Sequence, residues 1–302
     1  MLYYFIINGR EDFRERIDSA LMPQIAATGI NSKTYYTLGE GDGTRFVRIY
    51  CDLHPAEEVC FVACGGSGTA NEVASGLVGF KGKSMAILAY GATNDFIKSF
   101  PGRDFTSLKE ILGGEVVPTD IIRANDSYAL NVVNVGFDAS VALNAKLKIE
   151  DGTPPIRAYK NAVLEGVLFG RVHHIRITAD GEALNRRTIM FCDIGNGGWC
   201  GGQYRCSPKA QTDDGLMEVS AFRPLAILEV PFVIYRYGAG TYLDDDFCRK
   251  RLTYRRAKHM ELDSRNLIYL CLDGEFVAST HFDIDILPKE INLVLPPLKA
   301  DV

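Results

Sequence analysis

Four stretches carry residue types and spacings that could do chemistry. In Gly65-Gly66-Ser67-Gly68-Thr69, three glycines leave no Cβ in a ligand's way and let the backbone turn with positive φ. Thr69 is a good N-cap with Glu72 three residues on, the spacing of a capping box, so a helix is expected to start here. Unpaired N–H groups at a helix start, added to the helix dipole, attract phosphate. Glycine turns after strands also arise for steric reasons alone, so this motif by itself is nonspecific. In Gly91-Ala92-Thr93-Asn94-Asp95, a side-chain amide and a carboxylate could hydrogen-bond a polar ligand, and a plain helix cap by Asn94 or Asp95 is an equal alternative. In Gln211-Thr212-Asp213-Asp214-Gly215-Leu216, adjacent carboxylates repel and are rarely buried together without a cation. A hard cation such as Mg²⁺ could sit on Asp214 and nearby carbonyls, although a solvated turn is the commoner meaning of such a segment. In Asp273-Gly274-Glu275, Asp-Gly signals a hairpin, which accounts for Asp273. Glu275 could take a proton from an attacking hydroxyl.

These stretches need elements to position them. Val59 to Cys64 is a short apolar run that suits a strand covered on both faces, and the helix after the glycine turn runs through Val73, Ala74, Leu77 and Val78. Leu2 to Ile7 and Lys33 to Thr37 read as strands, and so does Met85 to Tyr90. Glu11 to Ala27 has helical spacing through Phe13, Ile17, Leu21 and Ile25, with Pro23 expected to kink or shorten it. Thr44 to Cys51 fits helix or strand equally, and a short helix is expected from Phe96. Strands and helices thus alternate up to about residue 115, the pattern of a parallel, doubly wound sheet. Ligands bind at the carboxyl ends of strands in such sheets, which gathers Asn8-Gly9 with the Gly65–Thr69 and Gly91–Asp95 loops on one edge.

After residue 120 the texture changes. Strands are expected at 116–122, 127–134, 173–179, 187–193, 216–222, 258–263, 267–272 and 281–287, with helices over 158–169 and 224–236 and a last strand segment at 290–296. That is an antiparallel β domain. The division expected is residues 1–122, then 123–288, with the tail 289–302 returning to the first domain.

Composition excludes several classes. At 47% hydrophobic and 24% charged, the 302 residues are ordinary for a soluble globular protein. A net charge of −5 offers no global attraction to nucleic acid. The eight cysteines form no CxxC pair and no zinc spacing, so they are expected to be reduced, several as small core residues of a cytosolic protein. The N-terminus has no basic region before its apolar run and is expected to be a strand, not a signal peptide; no run approaches the ~18 apolar residues of a membrane span. The basic run from Arg249 to His259 could meet anionic head groups, but long cations commonly coat exposed strands, and that is the preferred reading.

Taken together the motifs resemble one family. CGGSGTANEVASGL looks like GGDGTxNEVxxGL, ILAYGATNDFIKSF like IxPxGTxNDFAR, and SPKAQTDDGLMEV like PxAxxDDGxLxV. LNVVNVGFDASV has the expected G-x-D-A after a strand, and LDGE matches DGE. These are signatures of the diacylglycerol kinase catalytic domain family, which includes bacterial lipid kinases and sphingosine kinases, and they run in the family's order from residue 8 to residue 275. The resemblance implies an α/β nucleotide-binding domain followed by an antiparallel β-sandwich. It implies ATP phosphates on Gly65, Gly66, Ser67, Gly68 and Thr69, with Asn8, Glu72, Gly91, Thr93, Asn94 and Asp95 around the nucleotide. Glu275 matches the general base. Asp214, with the carbonyls of Gln211 and Leu216, matches a structural Mg²⁺ site, and a second Mg²⁺ would travel with ATP. The implied partners are a lipid alcohol and, peripherally, a membrane surface; a homodimer is left open. Two positions depart from the pattern. Ser67 stands where the family has Asp, and Gly91-Ala92-Thr93 where it has Gly-Thr-Gly or Gly-Ser-Gly. The alternatives to a lipid kinase are a nucleotide- or lipid-binding member without turnover and a soluble-substrate kinase such as an NAD kinase.

Overall fold

The computed structural model describes residues 1–91 and 94–299, with the side chains of residues 11–13 and 16 left out. Thr93 and the side chain of Phe13 therefore lie outside the described residues. The chain forms two compact units, Met1–Ile121 with the segment from Pro288 onward, and Ile122–Leu287.

The first unit runs β1 (Leu2–Ile7), α1 (Glu11–Thr28), β2 (Ser32–Tyr36), α2 (Asp42–Leu53), β3 (Val59–Gly65), α3 (Ser67–Leu77), β4 (Ser84–Ala89), a 3₁₀ turn (Phe96–Ser99), α4 (Leu108–Leu112) and β5 (Glu115–Ala124). Its strands lie parallel in the order β2-β1-β3-β4, and Leu293-Val294 adds beyond β4 beside Met85 and Ala86. All seven residues of β3 are buried, as an apolar strand covered on both faces requires. Burying each large member contributes about 1.5–3 kcal/mol. Pro23 does not end α1, which continues to Thr28 and stops at Gly29, where φ is 65°. The ambiguous segment after Gly43 is helical, because Val47, Tyr50 and Cys51 share one buried face. The strand order reverses between β1 and β3, so Asn8 leaves the sheet beside the glycine turn, its N–H donating to the Cys64 carbonyl at 3.2 Å.

The second unit runs β6 (Ser127–Ala129), β7 (Val132–Gly136), α5 (Phe137–Glu150), α6 (Pro155–Phe169), β8 (Arg176–Ala179), β9 (Glu182–Ala183), β10 (Phe191–Gly195), β11 (Met217–Phe222), α7 (Val230–Gly238), α8 (Asp246–Arg249), β12 (Leu252–Ala257), β13 (His259–Leu272) and β14 (Glu275–Leu295). Its strands are antiparallel in the order β12-β11-β10-β7-β13-β14, and β8 pairs the first half of β13. Alternation gives the sheet two apolar faces. Val133, Val135, Cys192, Ile194 and Val219 join one core; Val132, Phe191 and Phe222 join another with Phe137, Val233 and Tyr237 from the helices.

Several expectations needed correction. α5 was not anticipated, because its buried residues Phe137, Ala139, Val141 and Ala145 are mostly small and exposed Leu147 and Ile149 blur the stripe. The stretch 127–134 is two strands. Segments 258–263 and 267–272 are one strand, β13, whose pairing with β14 shifts register between Asp263 and Ile268. All eight cysteines are free, and Cys60 and Cys64 are buried in β3.

Candidate active site

At the end of β3 the glycines serve close approach, not unusual backbone angles. Gly65, Gly66 and Gly68 are absent from the positive-φ residues; Gly66 sits at φ −97°. A Cβ on Gly65 would lie 2.4 Å from Thr69 Oγ1, and one on Gly91 would lie 2.3 Å from the Gly66 Cα. The Gly65 carbonyl accepts from the N–H groups of Tyr90 at 3.1 Å and Gly91 at 2.9 Å. The two loops are thus laced backbone to backbone; a side chain at Gly91 would push them apart, and one at Gly65 would strike Thr69.

Helix α3 begins at Ser67 with Gly66 as N-cap and no side-chain cap. Thr69 is therefore not the cap; it is buried in the first turn against Gly65. Glu72 does not close a capping box. Its carboxylate accepts from the amides of Gly41 at 3.1 Å and Gly43 at 2.7 Å, and its carbonyl accepts from Thr44 Oγ1 at 3.0 Å. Burial raises its pKa while those amides counter the rise. Glu72 caps α2, so it leaves the nucleotide set and becomes a brace between α2 and α3.

The Ser67 hydroxyl accepts from the Asp95 amide at 3.4 Å, joining the glycine turn to the second loop. The Asp95 side chain is buried and accepts from Lys98 Nζ at 2.6 Å. Asn94 donates from Nδ2 to the Gly91 carbonyl at 3.4 Å, and its Oδ1 is buried with no hydrogen-bond partner. An uncapped helix start and open space beyond Gly68 fit a phosphate, whereas the orphaned Asn94 oxygen can only accept, and so suits a hydroxyl or N–H donor.

The second unit holds the other two motifs. Asp214 Oδ1 accepts from the Leu216 amide at 3.0 Å, and its Oδ2 is taken by the Arg256 guanidinium. With Gln211 and Asp213 exposed and Arg256 supplying the positive charge, this segment does not fit the structural Mg²⁺ site implied for Gln211, Asp214 and Leu216.

Glu275 is half-buried as the first residue of β14, after a tight turn in which Asp273 (φ 51°) and Gly274 (φ 102°) are both left-handed. The Asp273 carboxylate does more than turn the chain. It accepts from the amides of Asn131 and Val132, both at 2.9 Å. Asn131 also accepts from the Asn196 and Gly197 amides at its carbonyl, and donates from Nδ2 to the Trp199 carbonyl at 2.8 Å. One buried asparagine thus fixes the Glu275 turn, the start of β7 and the Trp199 loop together.

Beneath the helices lies a cluster that sequence reading missed. Asp193 of β10 is fully buried and accepts from Asn134 Nδ2. Asp138, in the first turn of α5, and Asp193 both lie beside Tyr237, whose hydroxyl is 3.5 Å from Cys200 Sγ. Burial pushes both carboxyl pKa values up, Asp138 to about 7, and Asp138 raises Asp193 further, so the pair retains a proton near neutrality. Only the GFDA stretch hinted at Asp138; nothing local marked Asp193 or Tyr237.

Residues 131–295, more than half of the chain, match the YegS C-terminal NAD kinase beta sandwich-like domain, and residues 3–124 match the diacylglycerol kinase catalytic domain. The chain belongs to the diacylglycerol kinase catalytic domain family. It is a lipid kinase, a transferase. A "Probable lipid kinase YegS-like" protein of Serratia proteamaculans (strain 568) is 27% identical over 97% of this chain and 93% of its own length. A diacylglycerol kinase of Bacillus subtilis (strain 168) is 23% identical over 99% and 97%. A crystal structure provisionally assigned as a diacylglycerol kinase, from Bacillus anthracis str. Sterne, superposes with a TM-score of 0.74 at 21% identity, covering 98% of this chain and 97% of that one. It has the same fold. Among this lipid kinase's described residues no helix is long and apolar enough to cross a membrane.

Proposed function

We propose that this lipid kinase transfers the γ-phosphoryl group of ATP to the hydroxyl of diacylglycerol or a related lipid alcohol. The observation that carries the reading is the uncapped start of α3, held against Gly91 with no side chain between the loops. ATP, when bound with Mg²⁺, supplies an activated phosphoryl group. The backbone amides at the start of α3 bind its phosphates, aided by the helix dipole. The Ser67 hydroxyl orders the Asn94-Asp95 loop beside them. Glu275 accepts the proton of the attacking lipid hydroxyl, and the Asp273–Asn131 bonds hold the turn that presents it.

Purified protein should move labelled γ-phosphate from ATP onto a lipid alcohol in mixed micelles. No transfer across a broad lipid panel would overturn the proposal. Ser67→Asp tests the serine directly. Activity that is equal or lower makes Ser67 a working variant, whereas activity created only by this change means the native turn binds without turnover.

A further inference from the structure

Helix α6 is apolar on two sides. Its small-residue side, Ala158, Ala162 and Gly166, packs inward; a Cβ on Gly166 would come within 2.8 Å of the Phe137 ring and 3.0 Å of Val141. Its other side carries Ile156, Leu164 and Leu168 at helical spacing, all exposed, and the helix ends on Phe169, which is 87% exposed. A soluble helix needs one apolar stripe, and this one has a second that is exposed among the described residues.

The exposed stripe continues onto a neighbouring loop. Arg171 donates to the Leu225 carbonyl at 2.7 Å, tying the chain that leaves α6 to the segment entering α7. Phe169 and Val172 flank Arg171 in sequence, Ile227 and Leu228 follow Leu225, and all four are exposed, the last to 91%.

The charges on these elements are one-sided. Arg157 and Lys160 are exposed on α6, whereas its one acid, Glu165, is neutralised by Lys148 at 3.0 Å. Glu229, after Leu228, is held by Arg251, and Arg236 is paired with Asp245. The basic run is spent differently: Arg249, Arg251, Arg255 and Arg256 each pair with an acid of the same unit. Exposed apolar side chains with interleaved free cations match a bilayer interface with anionic head groups.

We infer that the outward side of α6, with the Ile227-Leu228 loop, is the membrane-docking surface of this enzyme. It rests on the chain being a lipid kinase, whose substrate lives in a bilayer, and not on the ATP or diacylglycerol reading. Glu150 and Asp151 precede α6, so the Phe169–Leu228 end enters deepest.

Co-sedimentation of the full chain with vesicles, without ATP or diacylglycerol, tests this. One vesicle set is phosphatidylcholine; the other contains about one-third phosphatidylglycerol. The parent should bind, more tightly to the anionic set. Phe169→Ser with Leu228→Ser should lower partitioning on the order of tenfold on both sets, with an unchanged melting temperature because both side chains are exposed. Lys160→Glu should weaken binding to the anionic set alone. Vesicle binding equal in the parent and the double variant overturns the inference. So does a parent that ignores vesicles but forms a dimer which the double variant dissociates, since the face then belongs to a second copy. Failed phosphotransfer with vesicle binding intact sinks the ATP reading and leaves this one standing.

Discussion

The glycine turn of the first unit and the Asn131–Asp273–Glu275 cluster of the second are built by opposite means. The turn is made of backbone. The groups proposed to meet phosphate come from consecutive residues, and a Cβ at Gly65 or Gly91 would strike Thr69 or Gly66. The cluster is made of side chains separated by more than a hundred residues, with Asp273 reaching the amides of Asn131 and Val132. A backbone site tolerates many side chains nearby but no added atom at the contact. A side-chain site fails when one partner loses its hydrogen-bonding group, because the buried remainder is left unsatisfied.

That contrast can be broken by mutation. The largest effect is expected at the one group asked to move a proton. Glu275→Gln should lower kcat about 10³-fold in a micelle assay with little change in the KM for ATP. Loss confined to KM would return Glu275 to a merely structural strand start.

Next comes Gly91→Ala. The new methyl meets backbone, which cannot swing away, so about 1–3 kcal/mol of overpacking is expected there. Titration of ATP should show affinity down roughly 10- to 100-fold. Unchanged affinity would show that the two loops need not be laced.

The buried pair Asp138–Asp193 should set a pH dependence. Both carboxyl pKa values are raised by burial, so the protonated form favours folding. That contribution is complete below about pH 4, the unfolded value, and is lost as pH rises through the folded value of about 7 for Asp138. Melting temperatures taken from pH 5 to pH 8 should therefore decline more steeply in the parent than in Asp193→Asn. Parallel curves would mean that the pair does not share a proton.

Glu72→Ala removes a cap, not a ligand. It should cost about 1 kcal/mol of stability by denaturant titration, with ATP affinity retained. A large loss of affinity at full stability would put Glu72 back among the nucleotide residues.

The smallest expected effect is at Asp214. Arg256 already supplies its cation, so adding Mg²⁺ without nucleotide should leave the melting temperature unmoved. Arg256→Gln should make it rise with Mg²⁺, since the bare carboxylate then lacks a counter-charge.

Wherever the physics is local, the sequence by itself determined the outcome. Strand β3 is a continuous apolar run, the parallel alternation of the first unit follows from periodicity, and Asp273-Gly274 makes its hairpin. The glycine turn was legible as a strand-to-helix turn because it needs only five consecutive residues. Tertiary structure decided everything that depends on which distant group arrives. Glu72 sits where a capping box would place it, yet the Gly41 and Gly43 amides claim it. Asp214 sits in a metal-like motif, yet Arg256 reaches it first. Asp193 is one polar letter in an apolar strand, and only alternation across the sheet brings it beneath Asp138 and Tyr237. Residue type fixes what a side chain can bond. Long-range packing chooses the partner, because a buried polar group must bond whatever the folded chain brings within reach.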